Sequence, residues 1–368
     1  MKKRYASQCK WIVDEATGRR VRQITDTPCI HHHPFFLIPA YDRAMDRLYF
    51  VSYRTGSPQI FAYNRREDCI EQFTQTENLN EWSVHPSADG QYVYYVADGC
   101  AMRVCVHTGQ EQTLLTQTEL TQTGGGRMNP GTTNLTPGTT ALSADDRFWA
   151  IRSVSEAGYS VLIYDDNTRK WRCEATCEMV SHMQFCPDDH DLLFCAGPLK
   201  DRVWVLNRKE GKLKRLYVRN AAEKQWITHE SWIPGKRALS LVDWPNGILQ
   251  VSADTMEVTR VASFNAWHAI ANPTGTQMVA DTNFPDHGLI LLDLKTGNTQ
   301  LLCRPDASCL GAHWNGPFPY DNGPIQTYAP QHTHPHPRFS PDGRVVCYTS
   351  DKSGNAQVFE IDIPQDEF

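Results

Sequence analysis

The chain repeats one pattern of apolar and polar positions almost from end to end. Each copy consists of an apolar strand, a turn of the Ser-Pro-Asp-Gly type, a second apolar strand, a polar loop, a third strand, a turn centred on glycine or asparagine, and a fourth strand. The clearest copy starts at Phe185 and has its later strands at 192–195, 203–206 and 213–217. β-branched and aromatic residues alternate between frequent turns, and helix signals are nearly absent. The pattern therefore predicts an all-β protein.

Seven copies of this unit follow one another along the chain. They start near Tyr41, Val84, Leu142, Phe185, Trp232, Ala271 and Phe339. Most starts are about 40 to 47 residues apart, which is the period of a four-stranded propeller blade. Two spacings are longer because they contain insertions, one at 117–137 that is rich in Gly and Thr and one at 304–331. We therefore predict a single domain, residues 1–368, folded as a seven-bladed β-propeller.

The ends of the chain predict how this ring closes. Six copies end in an outer strand of mixed polar and apolar residues, whereas the seventh reaches Phe368 without one. A strand of the missing type lies at 19–25, after the turn Ala16-Thr17-Gly18. We expect this N-terminal strand to join the last blade, which removes the open edges of the ring.

Composition and charge exclude several classes of partner. The net charge of −6 argues against general binding to nucleic acid, so an anionic substrate would need a local positive site. No apolar run reaches the roughly 18 residues of a membrane span, and the basic residues 1–8 lead into no signal-peptide core. The twelve cysteines are scattered through strand-like segments, which favours reduced thiols. We predict a cytoplasmic protein that binds neither nucleic acid nor membranes, with an oligomeric state left open.

Histidines occupy one position of the repeat. Counting back five residues from the turn proline in four copies gives His182, His229, His268 and His336. Innermost strands line the axial channel of a propeller, so these side chains should face one another there. Chance does not readily produce this recurrence from 14 histidines among 368 residues. We predict a metal or catalytic site on the axis, with a packed channel histidine as the alternative for any one of them.

A second group of histidines lies just before the last repeated turn, in Gln331-His332-Thr333-His334-Pro335-His336-Pro337. On an extended strand the three alternate histidines would share one face. Spacing thus favours His332, His334 and His336 as metal ligands, and a Pro-rich loop without metal is the alternative. Imidazoles without thiolates suit Mn, Fe, Ni, Cu or Zn better than Mg or Ca. The triple His31-His32-His33 is interpreted either as part of the same channel mouth or as a solvated loop.

Several segments together carry a family resemblance. They are Gln331-x-x-His334-x-His336-Pro337, Thr228-His229-Glu230-x-Trp232, Trp267-His268-Ala269, Arg202-Val203-Trp204 and, more weakly, Ser181-His182 and Phe194-Cys195-Ala196-Gly197-Pro198. Over most of its length the chain resembles the oligogalacturonate lyases, polysaccharide lyase family 22, which are seven-bladed propellers, and these segments are the specific part of the resemblance. The resemblance implies a metal-dependent lyase that acts on short oligosaccharides derived from pectin.

The resemblance also implies roles for individual residues. A divalent metal, most often manganese, would be bound by His268, Gln331, His334 and His336. His229 would act as the base with Arg202 nearby. Apart from the resemblance, we expect His182, His33 and Trp232 to contact the substrate as residues of the channel and its wall. Spacing and resemblance differ on one ligand. We favour Gln331 over His332 because Pro335 and Pro337 bend the segment and spoil strict alternation.

The implied chemistry is a β-elimination on a small anionic uronide. The C5 proton of a uronate is weakly acidic because its removal places negative charge beside the carboxylate. A cation and an arginine at that carboxylate stabilise the growing charge. A neutral histidine can take the proton near physiological pH. The glycosidic oxygen at C4 then leaves, and the product has a 4,5-unsaturated end.

Two departures from the family pattern and two alternative functions stay open at this point. The His-Glu pair expected before Gly197-Pro198 is missing and the loop at 243–247 is short, so the particular uronide is not determined. A non-catalytic propeller that serves as an interaction module is one alternative, although it has no need of matched channel histidines. A metal-dependent hydrolase or lactonase is the other, and it would draw on channel carboxylates such as Asp243 and Asp281.

Overall fold

The computed structural model describes residues 2–122, 134–135, 138–155, 158–309 and 331–364. Their strands form seven antiparallel sheets, which is the arrangement of a seven-bladed propeller. Five sheets are built from consecutive strands only, and the other two also contain strands from the N-terminal segment. The predicted all-β, seven-bladed fold is confirmed. The insertions at 117–137 and 304–331 lie largely outside the described residues. Within the described part of the first there are an α-helix, Gln117–Gln122, and a strand, Asn134–Leu135.

The first four blades each run outwards from a short inner strand. Blade 1 contains His31–His32, Arg47–Ser52, Gln59–Asn64 and Cys69–Gln72. Blade 2 contains His85–Pro86, Tyr92–Ala97, Cys100–Cys105 and Glu111–Leu115. Blade 3 contains Ala141–Leu142, Phe148–Ser155, Gly158–Asp165 and Lys170–Cys177, with Asn134–Leu135 at its inner side. Blade 4 contains Met183–Cys186, Asp189–Ala196, Val203–Asn207 and Lys212–Tyr217.

The last three blades repeat this order. Blade 5 contains Trp226–Ile233, Ala238–Trp244, Gly247–Ser252 and Val258–Ala262. Blade 6 contains Ala266–Ala271, Gln277–Thr282, Leu289–Asp293 and Thr299–Cys303. Blade 7 contains Arg338–Phe339, Val345–Ser350 and Gln357–Asp362. Short 3-10 helices lie at Glu81–Ser83, Leu199–Asp201 and Gln331–Thr333.

The N-terminal segment closes the ring as predicted. Strand Arg20–Gln23 pairs with Gln357–Asp362 and supplies the missing strand of blade 7, and Lys10–Val13 adds a fifth strand outside it. Lys3–Ala6 pairs with Cys69–Gln72, the outer strand of blade 1. The same short segment therefore holds the first and last blades together, a feature that the sequence pattern did not indicate.

The repeated turn is held by its own side chains. In blade 7, Ser340 Oγ donates to Asp342 Oδ1 at 2.6 Å and accepts from Val345 N at 3.0 Å, while Gly343 has a φ of +72°. The same serine–aspartate bond forms between Ser143 and Asp145 at 2.6 Å in blade 3. The serine and the aspartate satisfy backbone groups that the turn would otherwise expose, and glycine tolerates the left-handed conformation. This chemistry fixes where the inner strand ends in these two blades.

Hydrophobic side chains of the described residues pack in seven clusters, one between each pair of neighbouring blades. One cluster also includes an apolar segment at 35–38, which enters the channel before blade 1 continues. The ring of Phe35 contacts His182, His229 and His268 at centroid distances of 5.0 to 6.4 Å. The segment thus forms one wall of the histidine cluster.

A cavity of about 410 Å³ lies on the side of the ring where the repeated turns are. It is lined by the turn prolines, including Pro187 and Pro341, and by Leu37 from the channel segment. Phe35 contacts the histidines and Leu37 lines this cavity, so segment 35–38 borders both. Among the described residues, no helix is long and apolar enough to cross a membrane.

Candidate active site

The four histidines predicted from the repeat lie together in the channel. The ring centroids of His229 and His268 are 4.0 Å apart, those of His182 and His229 are 5.9 Å apart, and those of His268 and His336 are 5.9 Å apart. His334 joins them, with its ring 5.7 Å from that of His268. The predicted convergence of these side chains is therefore observed, and it brings residues of blades 4, 5, 6 and 7 to one place.

Irregularities in the inner strands turn these side chains toward one another. The pairing register shifts between Thr228 and Ser231 in blade 5, and again between Ala266 and Ala269 in blade 6. His229 lies within the first bulge and has a φ of +47°. A β-bulge re-aims side chains and is common beside active sites, and a left-handed non-glycine residue is a local strain that function often explains.

His229 is held as a neutral imidazole of defined tautomer. Its Nδ1 lies at a short hydrogen-bonding distance from the carbonyl oxygen of Trp267, so Nδ1 carries the proton and Nε2 has the lone pair. The side chain is buried, and burial lowers its pKa well below the ordinary value, with His268, His182 and Arg202 lowering it further. An Nε2 lone pair is what a general base requires.

His268 and His336 share one carboxylate. Asp281 Oδ2 accepts from His268 Nδ1 at 2.9 Å and from the backbone nitrogen of His336 at 2.9 Å. Burial raises the pKa of Asp281, but the His268 ring and the hydrogen bonds lower it more, so the net pKa falls below its usual range. The Asp281 side chain is thus an ionised acceptor at the centre of the cluster.

His336 differs from the other imidazoles of the cluster in its hydrogen bonding. It is 1% exposed, has a φ of +30°, and neither ring nitrogen has a hydrogen-bond partner within the described part of the chain. Burial lowers its pKa well below the ordinary value, and neighbouring histidines, His33 first, lower it further. Buried nitrogens without partners destabilise a protein. Metal ligation is a function that offsets this cost.

The fit of these residues to a divalent cation rests on donor type and on the orphaned nitrogens of His336. Neutral imidazoles with an amide oxygen suit a borderline divalent ion. The structure describes the backbone of Gln331, in Gln331–Thr333, but not its side chain. Among the described side chains, no group of three or more His, Cys, Asp or Glu is positioned to hold a metal ion. The donor types therefore fit a divalent ion, while His268, His334 and His336 do not by themselves form such a group in the described part of the chain.

Arg202 lies in the same cluster, paired with an acid. Its Nε donates to Glu230 Oε1 at 2.7 Å, and one terminal nitrogen donates to His182 Nδ1 at 3.2 Å. Arg202 is 6% exposed and Glu230 is fully buried. The turn before it requires glycine, because a Cβ at Gly197 would lie 2.3 Å from the carbonyl oxygen of Asp201. The Gly197-Pro198 motif thus brings the guanidinium into the channel.

Comparison with known proteins identifies the family. Residues 175–367, just over half of the chain, match the family model described as oligogalacturonate lyase. The chain belongs to the oligogalacturonate lyase family. It is therefore a polysaccharide lyase, which confirms the resemblance and the enzyme class predicted from the sequence.

Relatives match this family member along nearly its whole length. It is 24% identical to an oligogalacturonate lyase of Dickeya dadantii (strain 3937) and 24% identical to an oligogalacturonide lyase of Pectobacterium atrosepticum, and each match covers 95% of both chains. An oligogalacturonate lyase in complex with manganese has the same fold, with a TM-score of 0.82, 20% identity and coverage of 99% and 98%. The oligogalacturonate lyase of Vibrio parahaemolyticus has a TM-score of 0.79 at 20% identity, with 99% of each chain covered.

The alternating strand predicted for His332, His334 and His336 is not present in this family member. Residues Gln331–Thr333 form a 3-10 helix, and the inner strand is only Arg338–Phe339. The ring of His332 lies 6.4 Å from His32 and is not among the channel rings in contact with His268. Spacing alone was therefore wrong about His332, because the two prolines interrupt the strand.

The N-terminal histidines have three different environments. His33 is buried against His336, with centroids 4.1 Å apart, and its Nε2 donates to the carbonyl oxygen of Pro335 at 3.3 Å. Burial lowers its pKa to about 3, so it is neutral. His32 Nε2 bonds Glu81 at 2.7 Å, whereas His31 is packed beside Phe50. The solvated-loop interpretation is therefore wrong, since all three are buried.

The structure does not bring Trp232 to the cluster. Its ring is 1% exposed, its Nε1 donates to the carbonyl oxygen of Gln184 at 3.0 Å, and it lines the cavity on the turn side. Trp232 is close to His229 in sequence, but the bulge at His229 and the strand direction separate the two side chains. Its position favours a role in packing blades 4 and 5.

Sequence reasoning missed the channel segment that contributes Phe35 and Phe36. The ring of Phe36 contacts His229 and His268 at 5.6 and 5.1 Å. An available signal was the apolar run Phe35-Phe36-Leu37-Ile38 between two prolines, where the repeat has no strand. Asp281 was considered only as a hydrolase carboxylate, and nothing in the sequence pairs it with His268.

Proposed function

We propose that this polysaccharide lyase cleaves short uronate oligosaccharides, with oligogalacturonates as the substrate class, by metal-assisted β-elimination that leaves a 4,5-unsaturated uronate end. The observation that carries the proposal is the buried His229, whose Nδ1 proton is committed to Trp267 and whose Nε2 therefore keeps its lone pair beside His268. The relatives named oligogalacturonate lyase support the substrate class.

His229 is proposed to take the C5 proton. The carbonyl of Trp267 fixes its tautomer and its orientation, and the surrounding burial keeps it neutral before it accepts the proton. The proton is transferred to Nε2, and the electron pair of the C5–H bond forms the C4–C5 double bond as the C4 oxygen leaves. A general base of this kind contributes roughly 10² to 10⁴ in rate.

His268, Gln331, His334 and His336 are proposed to hold a divalent cation, with Mn²⁺ favoured because a solved structure of the same fold is a complex with manganese. Bound there, the cation would supply a Lewis acid for the negative charge that grows on the uronate carboxylate. The chain's own part is to present imidazole nitrogens in a buried site that is walled on one side by Phe35 of segment 35–38.

Arg202 is proposed to stabilise the substrate carboxylate by its fixed positive charge. Glu230 orients the guanidinium through Nε, and Arg202 in turn orients His182 through Nδ1. His182, stacked on His229, and His33, packed on His336, are proposed to border the bound sugar.

We propose the cytoplasm as the place of action, supported by twelve cysteines that are all unpaired thiols.

A hydrolase that uses channel carboxylates is less well supported. Asp243 Oδ2 is paired with Arg260 at 2.9 Å, and Asp281 accepts bonds from His268 and His336. Both carboxylates are engaged by partners that occupy their oxygens. Neither is therefore arranged to donate or accept a proton in hydrolysis, whereas His229 is.

Chelation tests the proposed reaction directly. Digalacturonate incubated with the protein should give rising ultraviolet absorbance from the unsaturated uronate, a chelator should abolish the rise, and added Mn²⁺ should restore it. A neutral galactose disaccharide is the control substrate and should give no product, because it lacks the carboxylate that acidifies C5. Turnover that persists after complete metal removal would contradict the metal dependence. Absence of unsaturated product from every short uronide, with metal bound, would contradict the lyase reaction on this substrate class.

A further inference from the structure

One buried carboxylate connects the two blades that carry the proposed ligands. Asp281, on strand Gln277–Thr282 of blade 6, is 1% exposed. Its Oδ1 accepts from the backbone nitrogen of His268 at 2.6 Å, and its Oδ2 accepts from His268 Nδ1 at 2.9 Å and from the backbone nitrogen of His336 at 2.9 Å. Three donors from two blades therefore meet on one side chain.

The bond to the His268 ring fixes a tautomer. A carboxylate is only an acceptor, so Nδ1 of His268 must carry the proton, and its Nε2 must have the lone pair. Only a deprotonated ring nitrogen can ligate a cation. Carboxylate partners behind metal-binding histidines have this arrangement in many proteins, where they fix both tautomer and ring orientation.

The bond from the backbone nitrogen of His336 to Asp281 holds the backbone conformation at His336. His336 has a φ of +30°, which an L-residue with a bulky side chain rarely adopts, and it lies between two prolines that cannot donate backbone hydrogen bonds. Its own N–H is therefore one of few backbone donors in this stretch, and Asp281 accepts it. The same contact that orients His268 thus also determines where the His336 ring lies.

We propose that Asp281 is a positioning residue that selects the Nδ1–H tautomer of His268 and anchors the backbone of His336, so that the ring nitrogens of both histidines are presented together to a divalent cation. The inference rests on the proposed metal-dependent function. It assigns Asp281 no contact with substrate and no proton transfer.

Asp281→Asn is the informative substitution because an amide has nearly the same shape but only one acceptor oxygen. Whichever way the amide is oriented, its NH₂ group faces at least one of the three donors. Facing His268 Nδ1, it favours the tautomer with the proton on Nε2. Asp286→Asn is the matched control, since Asp286 lies on the same blade and accepts from Gly288 N at 2.7 Å and Thr282 Oγ1 at 3.2 Å, within its own loop.

The first measurement is the tautomer of His268 in the metal-free wild-type protein, by long-range ¹H–¹⁵N NMR of the histidine rings. It needs no variant and no activity. We expect the proton on Nδ1 in the wild-type protein and in Asp286→Asn. A wild-type His268 protonated on Nε2 would overturn the inference.

The second measurement is the affinity for Mn²⁺ by titration calorimetry. We expect the dissociation constant to rise about 10- to 100-fold in Asp281→Asn and to stay unchanged in Asp286→Asn. Excess Mn²⁺ should then restore much of the turnover of Asp281→Asn, because the base His229 is intact. Wild-type affinity for Mn²⁺ in a folded Asp281→Asn variant would overturn the inference about Asp281 but not the proposed metal-dependent function. A wild-type protein that binds no Mn²⁺ would instead overturn the metal-dependent function on which the inference rests.

Discussion

Replacing His229 with alanine is expected to lower kcat on digalacturonate by about 10² to 10⁴, the usual contribution of a general base. The reason is that the Nε2 lone pair is removed, while the carbonyl of Trp267 and the ligands on the neighbouring blades remain. Affinity for Mn²⁺ should be retained, because His229 is not among the proposed ligands. Initial rates of unsaturated product formation and a calorimetric Mn²⁺ titration measure the two effects separately.

Two further variants make this result specific. His229→Asn keeps a polar side chain that tolerates the left-handed backbone at this position, and it should be as inactive as the alanine variant. His190→Ala removes a histidine outside the channel, where its ring bonds Asp145 at 2.9 Å, and should leave kcat unchanged. Turnover near the wild-type value in His229→Ala would exclude it as the base. Loss of Mn²⁺ binding in that variant would identify it as a ligand instead.

The fold could be predicted from the sequence because every blade of a propeller repeats the same pattern of strands and turns. Turn residues recur in every copy, and a serine–aspartate bond like that of Ser340 and Asp342 ends the inner strand in three of the blades, so the pattern is recognisable even where one copy departs from it. The closing strand at 20–23 could be found for the same reason, since one blade lacked its outer strand. The additional pairing of Lys3–Ala6 with blade 1 was not foreseen, because this segment lies outside the repeat.

The channel histidines could be predicted only where the position in the repeat determines the position in space. His182, His229, His268 and His336 share one register before the turn, and they converge. Strict strand alternation failed for His332, because a 3-10 helix and two prolines replace the strand there.

The sequence repeat does not predict the contacts that side chains of the site make between blades. The bond from His336 to Asp281 joins residues 55 positions apart in different blades. The contacts of Phe35 with His182 and His268 depend on a segment that enters the channel from outside the repeat. Such contacts follow from the closed ring and from local bulges, neither of which a single repeat specifies. For the same reason Trp232, close to His229 in sequence, lies elsewhere in space.

A second buried acid, Glu360, lies where the ring closes and is expected to stabilise the fold there. Glu360 of blade 7 is 2% exposed and bonds Arg22 of the closing strand, Arg65 of blade 1 and the hydroxyl of Tyr41 at 2.7 Å. One carboxylate thus neutralises two guanidiniums at the seam between the last and first blades. Removing one member of a buried ionic network leaves the other charges without a partner, which is far more costly than losing an exposed pair.

Glu360→Ala is therefore expected to lower the free energy of unfolding by about 3–5 kcal/mol, measured as a shift of the urea midpoint. Glu67→Ala is the matched control, because it removes an acid that pairs with Arg4 of the N-terminal strand where both side chains are about half exposed. That control should barely move the midpoint, since solvent screens the pair. Equal, small shifts in both variants would show that strand pairing and apolar packing close the ring without the Glu360 network. A large shift confined to Glu360→Ala, with Mn²⁺ affinity unchanged in the folded protein, would separate the residues that close the ring from those that form the site inside it.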